Sequence, residues 1–430
     1  MVVTRNKNYT KEGKTMKRKF EKIAFVGGLL IDGTGAPAVK DSLVLVEDGK
    51  IVYAGANDRP YEGYEVRDIT GKTIMPGLID SHLHFCGNLT GNDTEWVTEP
   101  NDQKTVVAVQ QAHDCLETGI TTVGEISRSG IHIRNMIEAG EMRGPRMVCS
   151  GLGFCATASH GDSHHCSIEQ NRDGHPWAEC VDSPWDLRKA VRRRLRENPD
   201  AIKIWATGGG IWRWETARDQ HYTYEEIKAV VDEAKMRGIP VWSHCFGDAY
   251  NSIKAGVDLL IHGFEIDEKT ADMMVEQGTA FCPTINFMPD WLKTFPPVYV
   301  PEIHDQYEGE TVAEKEMNRI YDNLRKAYEK GVILTIGSDC FNNEITPYGY
   351  TTVGELHMFV EKVGISEMDT IVAATSNGAK VLRVYDKTGS LEAGKSADLL
   401  VINGNPLENI RAIDVENMEV IMKEGELIKG

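Results

Sequence analysis

Eight short apolar runs, separated by helical or irregular stretches, occupy the middle of this 430-residue chain. They lie at 78–79, 121–125, 146–149, 201–206, 240–243, 259–261, 279–282 and 333–336. Continuous apolar runs of this length read as strands buried on both faces, the habit of a parallel sheet. Residues 223–237, 267–277 and 312–330 carry helical signals, and Thr223 with Glu226 has the form of a capping box opening the first of them. Strand–helix units in succession predict an α/β fold, a (β/α)8 TIM barrel over residues 76–385. In that architecture the side chains that do chemistry stand at the C-terminal ends of the strands.

The two ends of the chain differ from the middle. Residues 19–75 alternate and turn often, with Glu47-Asp48-Gly49-Lys50 as a hairpin signal of the Asp-Gly kind. Residues 386–430 repeat that character, with a turn at Lys423-Glu424-Gly425. Two β-rich ends around a long middle predict one small discontinuous β-sandwich domain, built from 19–75 and 386–430. Residues 1–18 are polar and basic and read as a flexible leader, with Met16 as an alternative start. Lys17-Arg18-Lys19 before the apolar run 23–31 imitates a secretory signal, but Gly27-Gly28 interrupts the run and Asp32-Gly33 ends it as a turn, so it reads as a strand.

A net charge of −18 favours solubility and argues against nucleic-acid or anionic-membrane partners. No stretch approaches the ~18 apolar residues of a membrane span. Nine cysteines, an odd number without a CxxC pair, argue against a disulfide framework and for a reducing, cytoplasmic setting.

Within the fourth run, Lys203 stands in the middle of Ile202-Lys203-Ile204-Trp205. A buried ammonium is costly unless paired or chemically changed. It makes sense as a metal ligand whose amine carries an oxygen-donor group. Other predicted strand ends bring His82 and His84, which point the same way in an extended chain, then His244, His262 and Asp339. Each alone reads as readily as a hydrogen-bonded core residue. Together they offer mixed nitrogen and oxygen donors suited to zinc, or to manganese, cobalt or nickel.

At these residues the chain resembles the amidohydrolase superfamily, within it the imidazolonepropionase-like group that includes Xaa-Pro dipeptidases. The likeness runs from LIDGTG at 30–35 through the HxH pair, GITTV at 119–123, SHGD at 159–162 and Lys203, to GSLEAGKSADL at 389–399 and GNPL at 404–407. It implies a binuclear centre: His82, His84 and Asp339 on one metal, His244 and His262 on the other, and an N-carboxylated Lys203, its carbamate derived from CO2, bridging both. It further implies a metal-bridging hydroxide as nucleophile, with Asp339 shuttling its proton to a leaving amine, and a homo-oligomer acting on a small-molecule substrate. The expected reaction is cleavage of a C–N bond in an amide, dipeptide, cyclic amide or carbamate.

By the same likeness His160 faces the substrate and Tyr222 polarises the scissile carbonyl; the alternative for Tyr222 is a packing role. Trp205, Trp212 and Trp214 are candidates for an aromatic pocket, and Arg213 or Arg218 for binding a substrate carboxylate. His164, His165 and Cys166 read as a polar lid rather than a further metal site. The glutamate that deaminases of the superfamily use after the third histidine is replaced by Cys245-Phe246-Gly247-Asp248, against the alternative of a mononuclear deaminase. Val123-Gly124-Glu125-Ile126 stands where dipeptidase-like members often carry an Arg-Asp pair, against a dipeptide substrate. A non-catalytic scaffold, the other alternative, predicts missing ligands, and all six positions are filled.

Overall fold

The structure, a computed structural model, describes residues 21–212, 214–289, 292 and 312–430. The leader and Arg213 lie outside the described residues. The N-terminal part contributes β1 (Lys22–Val26), β2 (Leu29–Leu30), β3 (Ser42–Glu47), β4 (Lys50–Ala56), β5 (Glu65–Asp68) and β6 (Lys72–Pro76). The middle contributes β7 (Leu78–Leu83), β8 (Ile120–Glu125), β9 (Arg146–Cys149), β10 (Gly153–Cys155), β11 (Ala178–Cys180), β12 (Ile202–Trp205), β13 (Val241–Cys245), β14 (Leu259–His262) and β15 (Ala280–Cys282). The C-terminal part adds β16 (Leu399–Asn403), β17 (Met418–Lys423) and β18 (Glu426–Lys429).

The chain ends meet. One sheet runs β18-β17-β16-β6-β2, so strands from both ends share a single ladder, joined where β16 pairs with β6, and a second runs β4-β3-β1-β5. One apolar cluster draws on both sheets, with Ile23, Phe25 and Val44 against Leu399, Val401 and Met422. Two hairpins pin this arrangement. Asp48 and Gly49 join β3 to β4, and Glu424 and Gly425 join β17 to β18, all four with positive φ, as the tight two-residue turn requires. The turns then pack glycine to glycine: a Cβ on Gly425 would lie 2.4 Å from Gly49 Cα.

The middle has the TIM-barrel-type layout, but its ladder is not one closed ring of eight strands. Parallel strands β7-β8-β9 form one arc and β11-β10-β12-β13-β14-β15 the other. The third predicted strand stands whole as β9 and pairs with β8, but the chain then kinks at Gly151 and a further strand, β10, makes the pairing with β12. The run at 333–336, predicted as the eighth strand, makes only the bridge Leu334–Phe281. Its backbone still ties the arcs on one side. Thr335 N–H donates to the Phe281 carbonyl at 2.9 Å, and Ser81 N–H to the Ile336 carbonyl at 2.8 Å. A left-handed Asp339, φ 54°, ends the extended run and aims that side chain at β7. Helices pack outside, among them Tyr224–Lys235, which starts at the predicted Thr223–Glu226 capping box. No helix among the described residues is long and apolar enough to cross a membrane.

Candidate metal centre

Alternation along β7 fixes the first two groups: His82 and His84 project to one side, ring centroids 4.9 Å apart. Asp339 meets both, its Oδ1 3.0 Å from His82 Nε2 and 3.1 Å from His84 Nε2. Among the described residues this is the group of three metal-type ligands whose donor atoms lie within 4.8 Å of one another. His262, last residue of β14, brings Nε2 to 4.0 Å from Asp339 Oδ2, and its ring lies 4.4 Å from that of His244 on β13. Lys203, on β12 beside β13, is 1% exposed. The structure thus gathers the predicted ligands at one end of the strands. His262 (φ 72°) and Asp339 (φ 54°) both hold left-handed backbone, a strain of about 1–3 kcal/mol each that surrounding structure must enforce.

Hydrogen bonds fix which nitrogen each ring offers. His84 Nδ1 lies 2.7 Å from the Ile126 carbonyl, and an acceptor there requires N–H. His262 Nδ1 lies 2.6 Å from Thr284 Oγ1, whose own proton goes to the Pro283 carbonyl, so His262 donates and keeps its lone pair on Nε2. His244 Nε2 faces the Gly208 carbonyl at 3.3 Å, which leaves Nδ1. Such anchoring through the second nitrogen is how metal-binding histidines are oriented.

The donor set fits a divalent metal centre on two observations. Lys203 Nζ and His262 Nε2 are buried with no hydrogen-bond partner, where an unsatisfied buried polar atom costs about 1–3 kcal/mol. Further, His84 Nδ1 faces the Ile126 carbonyl, so Nε2, 3.1 Å from Asp339 Oδ1, is the ring nitrogen open to a cation shared with that carboxylate.

Charge states follow from surroundings. Burial pushes the His82 imidazole down to about 3, with Lys203 adding to the effect, so the ring is neutral at pH 7. Burial likewise holds His244 and His262 well below the usual histidine range. The Lys203 amine is pushed down to about 7 by burial, against the pull of Asp339. Burial would raise the Asp339 carboxyl, but hydrogen bonding to His82 and the other imidazoles outweighs it and holds the group well below the usual carboxylate range.

Above the ligands opens a cleft walled by Trp96, Trp177, Trp205, Phe246, Phe287 and Phe341, with His84, His160, His244 and Asp339 also on its surface. His160 lies in it as expected. Tyr222 does not: its ring is 1% exposed and its hydroxyl donates to the Val181 carbonyl at 2.8 Å, away from the cleft wall. Of the three tryptophans singled out, only Trp205 reaches the cleft. Trp212 is buried and donates to the His160 carbonyl, and Trp214 is exposed. Arg218 pairs with Glu265 at 2.7 Å. His165 is exposed near Asp93, and the Cys166 thiol donates to Ser163, so residues 164–166 converge on no site.

Sequence reasoning missed Trp96, Trp177, Phe287, Phe341 and Glu215. Trp96 lies in the six-residue helix Asp93–Thr98, too short to show a period, and the others sit on loops between strands and helices. Glu215 is buried and holds His160: its Oε1 lies 2.7 Å from His160 Nδ1. The glycines after β12 permit a close approach, but at Gly209 the neighbour is this histidine, since a Cβ there would lie 2.0 Å from His160 Cε1.

A barrel-type fold with histidine and aspartate donors gathered at its strand ends defines a metal-dependent hydrolase. The amidohydrolase family model matches residues 73–428. The chain belongs to the amidohydrolase family, and it is a hydrolase of C–N bonds. It is 28% identical to an ochratoxinase of Aspergillus niger, over 94% of this chain and 86% of that one. An imidazolonepropionase of Thermoanaerobacter pseudethanolicus is 21% identical over 89% and 86% of the two chains. Among solved structures, a Xaa-Pro dipeptidase with methionine bound in its active site is 31% identical and superposes with a TM-score of 0.82, covering 95% of this chain and 100% of that one.

Proposed function

We propose that this protein is a binuclear metallohydrolase, its two divalent ions zinc in first place and manganese, cobalt or nickel as alternatives, cleaving an amide, dipeptide, cyclic amide or carbamate. His82, His84 and Asp339 would hold one ion, His244 and His262 the other, and Lys203 would join them as an N-carboxylate. The carrying observation is the convergence of His82, His84 and Asp339 at 3.0–3.1 Å together with the partnerless buried amine of Lys203. Once bound, the ions would supply Lewis acidity to ease deprotonation of water near neutral pH and to polarise a carbonyl. The lysine reaction is simple: the amine lone pair forms an N–C bond to CO2 and one proton leaves. A pKa near 7 keeps much of that amine uncharged and nucleophilic. The Asp339 carboxylate, 16% exposed toward the cleft, takes the proton of the attacking water and hands it to the departing nitrogen.

The cleft selects the substrate. Its aromatic wall favours a flat or bulky apolar group beside the scissile bond, and no lysine or arginine lines it among the described residues. Both features support an aryl or apolar acyl amide or carbamate over a substrate carrying its own carboxylate at that wall. Around this centre we read the chain ends as one β-sandwich module, 19–75 with 386–430, beside the barrel of 76–385. We further read the protein as a cytoplasmic homo-oligomer, in keeping with its reduced cysteines and its family likeness.

The test combines elemental analysis with a hydrolysis screen of metal-loaded protein against aryl amides, N-acyl amino acids, Xaa-Pro dipeptides and carbamates. About two ions per chain, falling in Lys203→Ala together with turnover, is expected. One ion per chain, or undiminished turnover by that variant, overturns the binuclear reading.

A further inference from the structure

His160 is gripped at three points. Its backbone N–H donates to His221 Nδ1 at 3.3 Å, its carbonyl accepts from Trp212 Nε1 at 2.7 Å, and its ring Nδ1 lies 2.7 Å from Glu215 Oε1. Glu215 is 3% exposed and also accepts from the backbone N–H groups of Gly209, Ile211 and Trp212. His221 Nε2 stands 3.8 Å from its second oxygen. Among the described residues no lysine or arginine pairs with this carboxylate. A buried carboxylate so furnished with N–H donors is an acceptor only. The hydrogen on the imidazole must therefore sit on Nδ1, and Nε2 is the nitrogen left for the cleft that His160 lines. Gly209 closes tightly on the ring, and the His244 ring stacks against it at 4.7 Å and 24°.

We infer that Glu215 is a positioning residue of the hydrolytic reaction: it fixes the Nδ1–H form and the orientation of His160, so that Nε2 meets the scissile group of the substrate. This rests on the reading of the cleft as a C–N hydrolase site with His160 on its substrate side. Glu215 also ties residues 209–212 through the backbone N–H groups of Gly209, Ile211 and Trp212, and His160 is the side chain whose ring it holds on the cleft.

The test uses metal-loaded full-length protein in two measurements. Selective ¹⁵N-histidine labelling should show a far-downfield Nδ1–H proton signal, absent from both His160→Ala and Glu215→Ala. In hydrolysis of an aryl amide, His160→Ala should lower kcat by about 100-fold and Glu215→Ala by about tenfold or more. The double variant should be no slower than His160→Ala, with bound metal equal in all. Glu215→Gln, which keeps an acceptor oxygen for Nδ1–H, should retain the signal and lose clearly less activity than Glu215→Ala; it also serves if the alanine variant does not fold. A signal that survives Glu215→Ala, losses that add in the double variant, or glutamine as damaging as alanine each overturn the inference. Absence of any C–N hydrolysis by the wild type would instead sink the proposed function, while the resonance would still report on the pair.

Discussion

Two carboxylates at strand ends of this barrel meet opposite fates. Asp339 opens onto the cleft among three imidazoles and is held anionic, well below the usual range. Glu125, at the end of β8, is sealed; one oxygen accepts the Phe85 N–H at 3.2 Å and the other has no partner. Burial pushes its carboxyl up to about 7. Both carboxyls are largely shielded from water, so dehydration alone cannot decide charge; the company of nitrogen donors does. A negative charge persists where cations can gather and is discouraged a few residues away. That contrast separates the carboxylate proposed to move the proton from a packed one.

The strongest way to break the contrast is to neutralise each member. Asp339→Asn should lower kcat by about 10³-fold or more against any substrate found in the screen, while Glu125→Gln should leave kcat within about threefold. Comparable losses would show that the two sites are one functional unit. Next in size, Lys203→Ala should lose about 100-fold and regain part of it with added short-chain carboxylate, which stands in for the missing oxygen donors. No recovery at high formate or acetate concentration would argue that the amine itself serves. Gly209→Ala should drive the His160 ring from its seat, costing about tenfold in kcat and about 1–3 kcal/mol of stability; unchanged kinetics would mean that the wall gives way without consequence.

The smallest effect concerns pH. Glu125 has a folded pKa of about 7 against an ordinary 4.5, so the native state binds the extra proton. Its contribution to stability is full below pH 4.5 and is lost as pH rises through 7, by about 3 kcal/mol at most. Denaturant melts should therefore show a flatter decline from pH 4.5 to 7 in Glu125→Gln than in wild type. Parallel curves would mean that Glu125 is ionised in the native protein as in the unfolded one.

What the sequence disclosed follows the same division between regular and irregular chain. Strands such as β12, β13 and β14 announce themselves as unbroken apolar runs, so the residues at their ends, Lys203, His244 and His262, could be placed before any coordinates. The hairpins at Asp48-Gly49 and Glu424-Gly425 were legible because positive φ restricts which residues can stand there. Strand β10 and the single bridge at Leu334 were not. Three residues carry too little pattern, and residues 333–336 look like a strand yet divide their backbone hydrogen bonds between Phe281 and Ser81, with one bridge at Leu334. Tyr222 shows the opposite failure: its place in a motif suggested chemistry, while its hydroxyl is spent on Val181. Glu215 was silent because its partner lies 55 residues upstream, and no period or motif links two loops across a cleft.

The seating of His160 by Glu215 and Gly209 has a consequence for how such a protein can change. The proposed ion-binding groups belong to strands and their backbone turns, whereas the histidine that would meet the substrate takes its hydrogen bonds from loop residues and touches the strands through the His244 ring. Loops can be exchanged or lengthened while the inorganic centre stays intact. A lineage built this way can acquire new substrates by recutting its rim, and a protein engineer can do the same by starting with residues 209–215 and 157–177.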